Sequence, residues 1–147
     1  MKVQFARGFA LAAAAMLGAC GGDSDSSAPA PAPSSITISG TAAKGAALAG
    51  ATVRVICATG TAPPPTATTS SAGAYTLTMV GARLPCVLRA VGSEGSTFHS
   101  LVGGTGDSGS FVANITPLTE MVFAAATAAY PEHYYQSFGW RSRVSAA

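Results

Sequence analysis

Three kinds of side chain in this sequence could do chemistry on another molecule. They are the thiols of Cys20, Cys57 and Cys86, the hydroxyl of Ser108 within Gly106-Asp107-Ser108-Gly109, and the imidazoles of His99 and His133. A serine hydroxyl is a poor nucleophile until a base takes its proton and a carboxylate orients that base. His99 and His133 are the only histidines available for that role. Neither has a cysteine or carboxylate beside it at a metal-ligand spacing, so both read as solvent-exposed or hydrogen-bonded residues, and no metal or cofactor is expected. The run GGTGDSGS has the composition of a turn between strands.

Cys20 has a more specific context. Lys2 and Arg7 precede an uncharged, alanine-rich stretch that ends in Leu17-Gly18-Ala19-Cys20. A basic start, a short apolar middle and small residues at the cut form the layout of an export signal. The apolar middle is about ten residues, against the roughly 20 needed to span a bilayer as a helix. A permanent anchor helix is therefore the weaker reading.

Leu17-Gly18-Ala19-Cys20 resembles the lipobox of bacterial lipoproteins. The resemblance implies a signal peptide over 1–19, cleavage after Ala19, and a diacylglycerol thioether on Cys20 with a further acyl chain such as palmitate on the new amino group. Each buried lipid methylene contributes about 0.8 kcal/mol, and stable anchoring takes more than one chain. Gly21, where an aspartate would retain the protein elsewhere, implies the outer membrane, with the module facing either the periplasm or the cell surface. The alternative is an ordinary signal peptide that leaves Cys20 free or paired.

Removing the leader also removes Lys2 and Arg7, which account for the net charge of +2. The remainder is balanced and has no basic patch to follow a phosphate backbone, so nucleic acid is not an expected partner. Residues 20–34 consist of the lipidated cysteine followed by Gly, Asp, Ser, Ala and Pro, including Ala28-Pro29-Ala30-Pro31-Ala32-Pro33. Such a segment cannot bury a core, and its prolines favour an extended form, so it reads as a disordered tether.

Beyond the tether, short Val-, Thr-, Ile- and Tyr-rich segments alternate with Gly, Pro and Ser clusters. That pattern predicts a mainly β fold, a small immunoglobulin-like β-sandwich over 35–115. The expected strands are 35–40, 51–58, 73–80, 85–91, 97–102 and 110–115. Val53, Val55 and Cys57 share one face opposite Arg54; Tyr75, Leu77 and Met79 share another; Cys86, Leu88 and Ala90 stand opposite Arg89. Cys57 and Cys86 thus fall on core faces of different strands in an exported chain, which predicts a disulfide contributing about 3 to 4 kcal/mol. The alternative is a pair of buried thiols packing as small apolar residues.

The stretches ISGTAAKGAALAGATVRV and TSSAGAYTL resemble the carboxypeptidase regulatory-like family of prealbumin-type sandwich modules. Ser70 stands where those modules commonly have aspartate, and the Ala62-Pro63-Pro64-Pro65 insert lengthens the preceding loop. The resemblance covers residues 36–92 and implies an accessory, surface or adhesive module without catalytic residues of its own. The Gly106–Gly109 run resembles the nucleophile turn of trypsin-like serine proteases. Neither histidine carries that family's flanking residues, however, and the chain is too short for two barrels.

After residue 115 the period changes. Thr116 suits an N-cap and Pro117 a first helical position, and Leu118, Met121, Val122, Ala125 and Ala129 form one stripe, so a short helix is expected over 117–129. Asn114-Ile115-Thr116 fits a glycosylation acceptor by chance. A lipobox, this module and the NITPLT helix start together resemble a group of proteobacterial surface lipoproteins in which a longer helical region follows, so the segment 116–147 reads as cut short.

Tyr130, Tyr134, Tyr135, Phe138 and Trp140 cluster there and belong either to packing or to a stacking surface. Two functions follow. One is a non-catalytic, membrane-anchored surface lipoprotein that presents its sandwich for structural or adhesive contact with a cell-surface protein or glycan. The other is a carbohydrate- or peptide-binding accessory module in which Tyr134, Tyr135 and Trp140 touch the ligand.

Overall fold

A computed structural model describes residues 33–61 and 64–144, all within the compact unit Ala32–Ala147; from 140 onward only the backbone is described. The leader, Cys20 and most of the tether lie outside the described residues. In chain order the elements are β1 (Ser35–Thr41), β2 (Ala43–Lys44), β3 (Ala46–Ala47), β4 (Thr52–Thr59), β5 (Thr66–Thr68), β6 (Ala74–Val80), β7 (Arg83–Val91), β8 (Thr97–Val102), β9 (Gly109–Val112), α1 (Pro117–Thr127) and α2 (Pro131–Val144).

The six expected strands correspond to β1, β4, β6, β7, β8 and β9. Alternation places them in two sheets. One has the order β6-β1-β9, with β1 antiparallel to β6 and parallel to β9; the other has the order β5-β4-β7-β8, antiparallel throughout. Ile36, Ile38, Tyr75, Leu77 and Met79 from the first sheet pack on Val53, Val55, Leu88 and Ala90 from the second, and together they form one core. The fold is a small β-sandwich.

Cys57 and Cys86 are directly opposed across β4 and β7, both fully buried, and joined by a disulfide with an S–S distance of 2.00 Å. The bridge therefore links neighbouring strands of one sheet. Where β1 leaves the core the backbones come close: a Cβ on Gly40 would lie 2.0 Å from the Ala113 carbonyl oxygen, which also accepts a hydrogen bond from the buried Tyr75 hydroxyl. Only glycine leaves that space.

Three short strands have no counterpart in the periodicity. β2 and β3 form a two-residue-per-strand ribbon, too short for alternation to register, and β5 is an edge strand just after the proline insert.

The helices make a third layer, on the outer face of the four-stranded sheet. Ile56, Val87 and Leu101 point outward there and are covered by Phe123 of α1 and by Tyr134, Tyr135 and Phe138 of α2. α1 begins as expected: Thr116 caps it, Pro117 opens it, and Thr116 and Thr119 exchange hydrogen bonds in a capping box.

Its burial differs from the expected stripe. Leu118 is 68% exposed and Met121 69%, with Val122 and Ala125 also outward, while Phe123 at 1% is the anchor. The helix is apolar on both sides, and one aromatic ring filling the space above Ile56 and Val87 decides which side docks. The segment after Tyr130 forms a full second helix, α2, in addition to the single helix expected. No helix among the described residues is long and apolar enough to cross a membrane.

Candidate functional site

The polar residues that the fold brings together lie between the helix layer and the sheet. On β8, Thr97, His99 and Leu101 face outward while Phe98, Ser100 and Val102 pair with the inward residues of β7. Outward on this strand means under the helices, so His99 is only 1% exposed. Its Nδ1 lies 3.0 Å from Glu120 Oε2 on α1, and its Nε2 lies 2.9 Å from Glu132 Oε2 on α2. The His99 backbone N–H also donates to Glu120, and the Thr119 hydroxyl donates to the His99 carbonyl.

Each carboxylate comes from the first turn of its helix, where an acid also suits the helix dipole. Both ring contacts are hydrogen bonds when both nitrogens carry protons, because carboxylates only accept. One imidazole therefore clamps two helices to one strand.

Arg89, the cross-strand neighbour of His99 on β7, extends the network. Its Nη1 donates to Glu132 Oε1 at 2.9 Å, and its guanidinium carbon stands 5.4 Å from the Tyr135 ring centroid. Gln136 donates to the same Glu132 oxygen. Desolvation pushes the Glu132 carboxyl up, but the Gln136 hydrogen bond and the Arg89 and His99 contacts outweigh it and hold the group below its usual range. Burial pushes the Tyr135 hydroxyl up against the pull of Arg89 and Arg54, and that hydroxyl has no hydrogen-bond partner among the described residues.

The geometry is that of a clamp. Each His99 nitrogen faces a carboxylate, so neither is open to a nucleophile. Glu120 and Glu132 sit on opposite sides of the imidazole and do not converge on a point, and no group of metal-ligating residues occurs among the described residues. Ser108 is exposed in the connection between β8 and β9, beside the Arg83–Asp107 ion pair at 3.8 Å, and His133 is exposed on α2. Asn114 accepts a hydrogen bond from the Thr41 backbone N–H, while Thr116 is occupied as the helix cap.

The aromatic residues expected to touch a ligand are drawn largely into packing. Tyr135 is 5% exposed and lies against His99 and Arg89. Tyr134 meets the Phe123 ring edge-on and stacks with Phe138 at 5.9 Å between centroids. The Trp140 side chain and Cys20 lie outside the described residues. Sequence reasoning missed the roles of Glu120, Glu132 and Arg89. The signal was present in two helix starts, each with proline in its first turn and a glutamate close behind, but its meaning depends on what lies beneath them.

No protein-family model matches the chain, and no curated protein matches it.

Proposed function

We propose that this protein is a non-catalytic lipoprotein, held at the outer membrane by acyl chains on Cys20, that presents a β-sandwich for structural or adhesive contact with a cell-surface protein or glycan. The observation that carries this reading is Leu17-Gly18-Ala19-Cys20 at the end of an apolar segment, followed by a proline-rich spacer. Several structural facts support it. The first strand of the sandwich starts at Ser35, directly after the spacer composition ends. The disulfide is of the kind that persists in an oxidising compartment. The one buried histidine has both nitrogens committed to holding helices. The resemblance of residues 36–92 to carboxypeptidase regulatory-like modules points to the same accessory role.

The test is membrane fractionation with metabolic palmitate labelling. Wild type is expected in the membrane fraction and labelled, and Cys20→Ala soluble and unlabelled. An unlabelled, freely soluble wild-type protein overturns the reading.

A further inference from the structure

Among the described residues the helices cover only part of the outer face of the four-stranded sheet, leaving Thr52 and Arg54 exposed. On the open part, the register sets Arg54 of β4 directly opposite Arg89 of β7, with Thr66 of β5 on the other side of Arg54. The next row of the same face is Thr68, Thr52, Val91 and Thr97. Like charges directly opposed across strands destabilise a sheet unless something neutralises them. Arg89 has Glu132 at 2.9 Å. Arg54 has no carboxylate partner among the described residues, because Glu120 and Glu132 are taken by His99 and Arg89, Glu94 pairs with Lys44, and Asp107 pairs with Arg83.

A cleft of about 270 Å³ on this face is lined by Thr52, Arg54, Arg89 and Val91. Among the described residues Arg89 donates to Glu132 through Nη1, which leaves further N–H groups of its fork for another acceptor. A guanidinium fork matches the two oxygens of a carboxylate, and the Thr52 hydroxyl beside it can exchange hydrogen bonds with a hydroxyl of a ligand. Val91 gives the cleft one apolar wall, suited to the C–H face of a ring.

We propose that this cleft binds the carboxylate of an acidic saccharide, a uronic-acid unit, with Arg54 as its main anchor, Arg89 as a second donor, and the Thr52 hydroxyl meeting a hydroxyl of the sugar. The site borders the aromatic segment only at Tyr135, over whose ring Arg89 lies, and its occupation does not depend on the lipid anchor.

The test is calorimetric titration of the full chain in detergent, at low salt, with trigalacturonate, with the neutral galactose trimer and with inorganic phosphate. Trigalacturonate is expected to bind saturably, the neutral trimer not at all, and phosphate more weakly. Arg54→Gln is expected to weaken trigalacturonate binding about tenfold or more, the loss of a charge-assisted hydrogen bond, without lowering the thermal melt, because the side chain is exposed and its removal relieves the repulsion with Arg89. Absent trigalacturonate binding, or equal affinity in Arg54→Gln, overturns the proposal. Phosphate binding as tightly as trigalacturonate overturns the assignment to a carboxylated sugar.

Discussion

His99 Nε2 and Glu132 Oε2 stand 2.9 Å apart, joining β8 to α2, while the other nitrogen of the same ring holds α1. The helix layer is thus fastened to the sheet at a polar point enclosed by Phe123 and Tyr135, and not by apolar contact alone.

Glu132→Ala removes the acceptor for both His99 Nε2 and Arg89 Nη1. Leaving a buried donor unpaired costs about 1 to 3 kcal/mol, and urea unfolding is expected to show a loss of that size. Glu94→Ala, which breaks the exposed 3.5 Å pair with Lys44, is the control and is expected to cost less than about 1 kcal/mol.

Stability should fall at both ends of the pH range, for separable reasons. The Glu132 carboxyl titrates below its ordinary value in the fold, so its contribution is complete above the ordinary carboxylate range and is lost as pH falls through the depressed value. The Tyr75 hydroxyl is pushed up by burial, so its contribution is complete below the ordinary tyrosine value of about 10 and declines above it. Denaturant midpoints measured against pH are expected to lose part of the acid slope in Glu132→Gln and part of the alkaline slope in Tyr75→Phe. Unchanged slopes would exclude these groups as the cause.

Breaking the Cys57–Cys86 bridge frees a loop set by a sequence separation of 29. Loop-closure entropy then predicts a loss of about 3 to 4 kcal/mol. The double variant Cys57→Ala, Cys86→Ala should unfold at correspondingly lower denaturant, and adding reductant should bring wild type to a similar midpoint while leaving the variant unchanged.

Phe123 is 1% exposed and sits over Ile56 and Val87. Phe123→Ala is expected to cost about 3 to 5 kcal/mol, whereas Met121→Ala, on the outward side of the same turn, should stay within about 0.5 kcal/mol. If the two effects were equal, the orientation of α1 would be wrong.

Most of the sandwich was readable because burial in a half-exposed strand is written in adjacent residues. The alternation of Tyr75, Leu77 and Met79 with Thr76 and Thr78 shows which side is wet. β5 and the β2–β3 ribbon were not readable, since two or three residues carry no period. The facing of α1 was ambiguous for a different reason: with apolar residues on both sides, periodicity finds a helix without choosing its contact side.

The paired-carboxylate clamp shows the same division. His99 is one polar residue between Phe98 and Ser100, and nothing local distinguishes it from a surface histidine. Its partners lie 21 and 33 residues away on separate helices.

The positions of the six longer strands, their core faces and the cap at Thr116 followed from the sequence by itself, because each depends on neighbours a few bonds apart. The tertiary structure decided that the outward face of β8 would be roofed, that α1 would dock through Phe123, and that Arg54 would face Arg89 without a carboxylate partner among the described residues. Those outcomes depend on which surfaces meet across long stretches of chain, and that is set by packing volume and charge pairing in three dimensions, which a one-dimensional period does not encode.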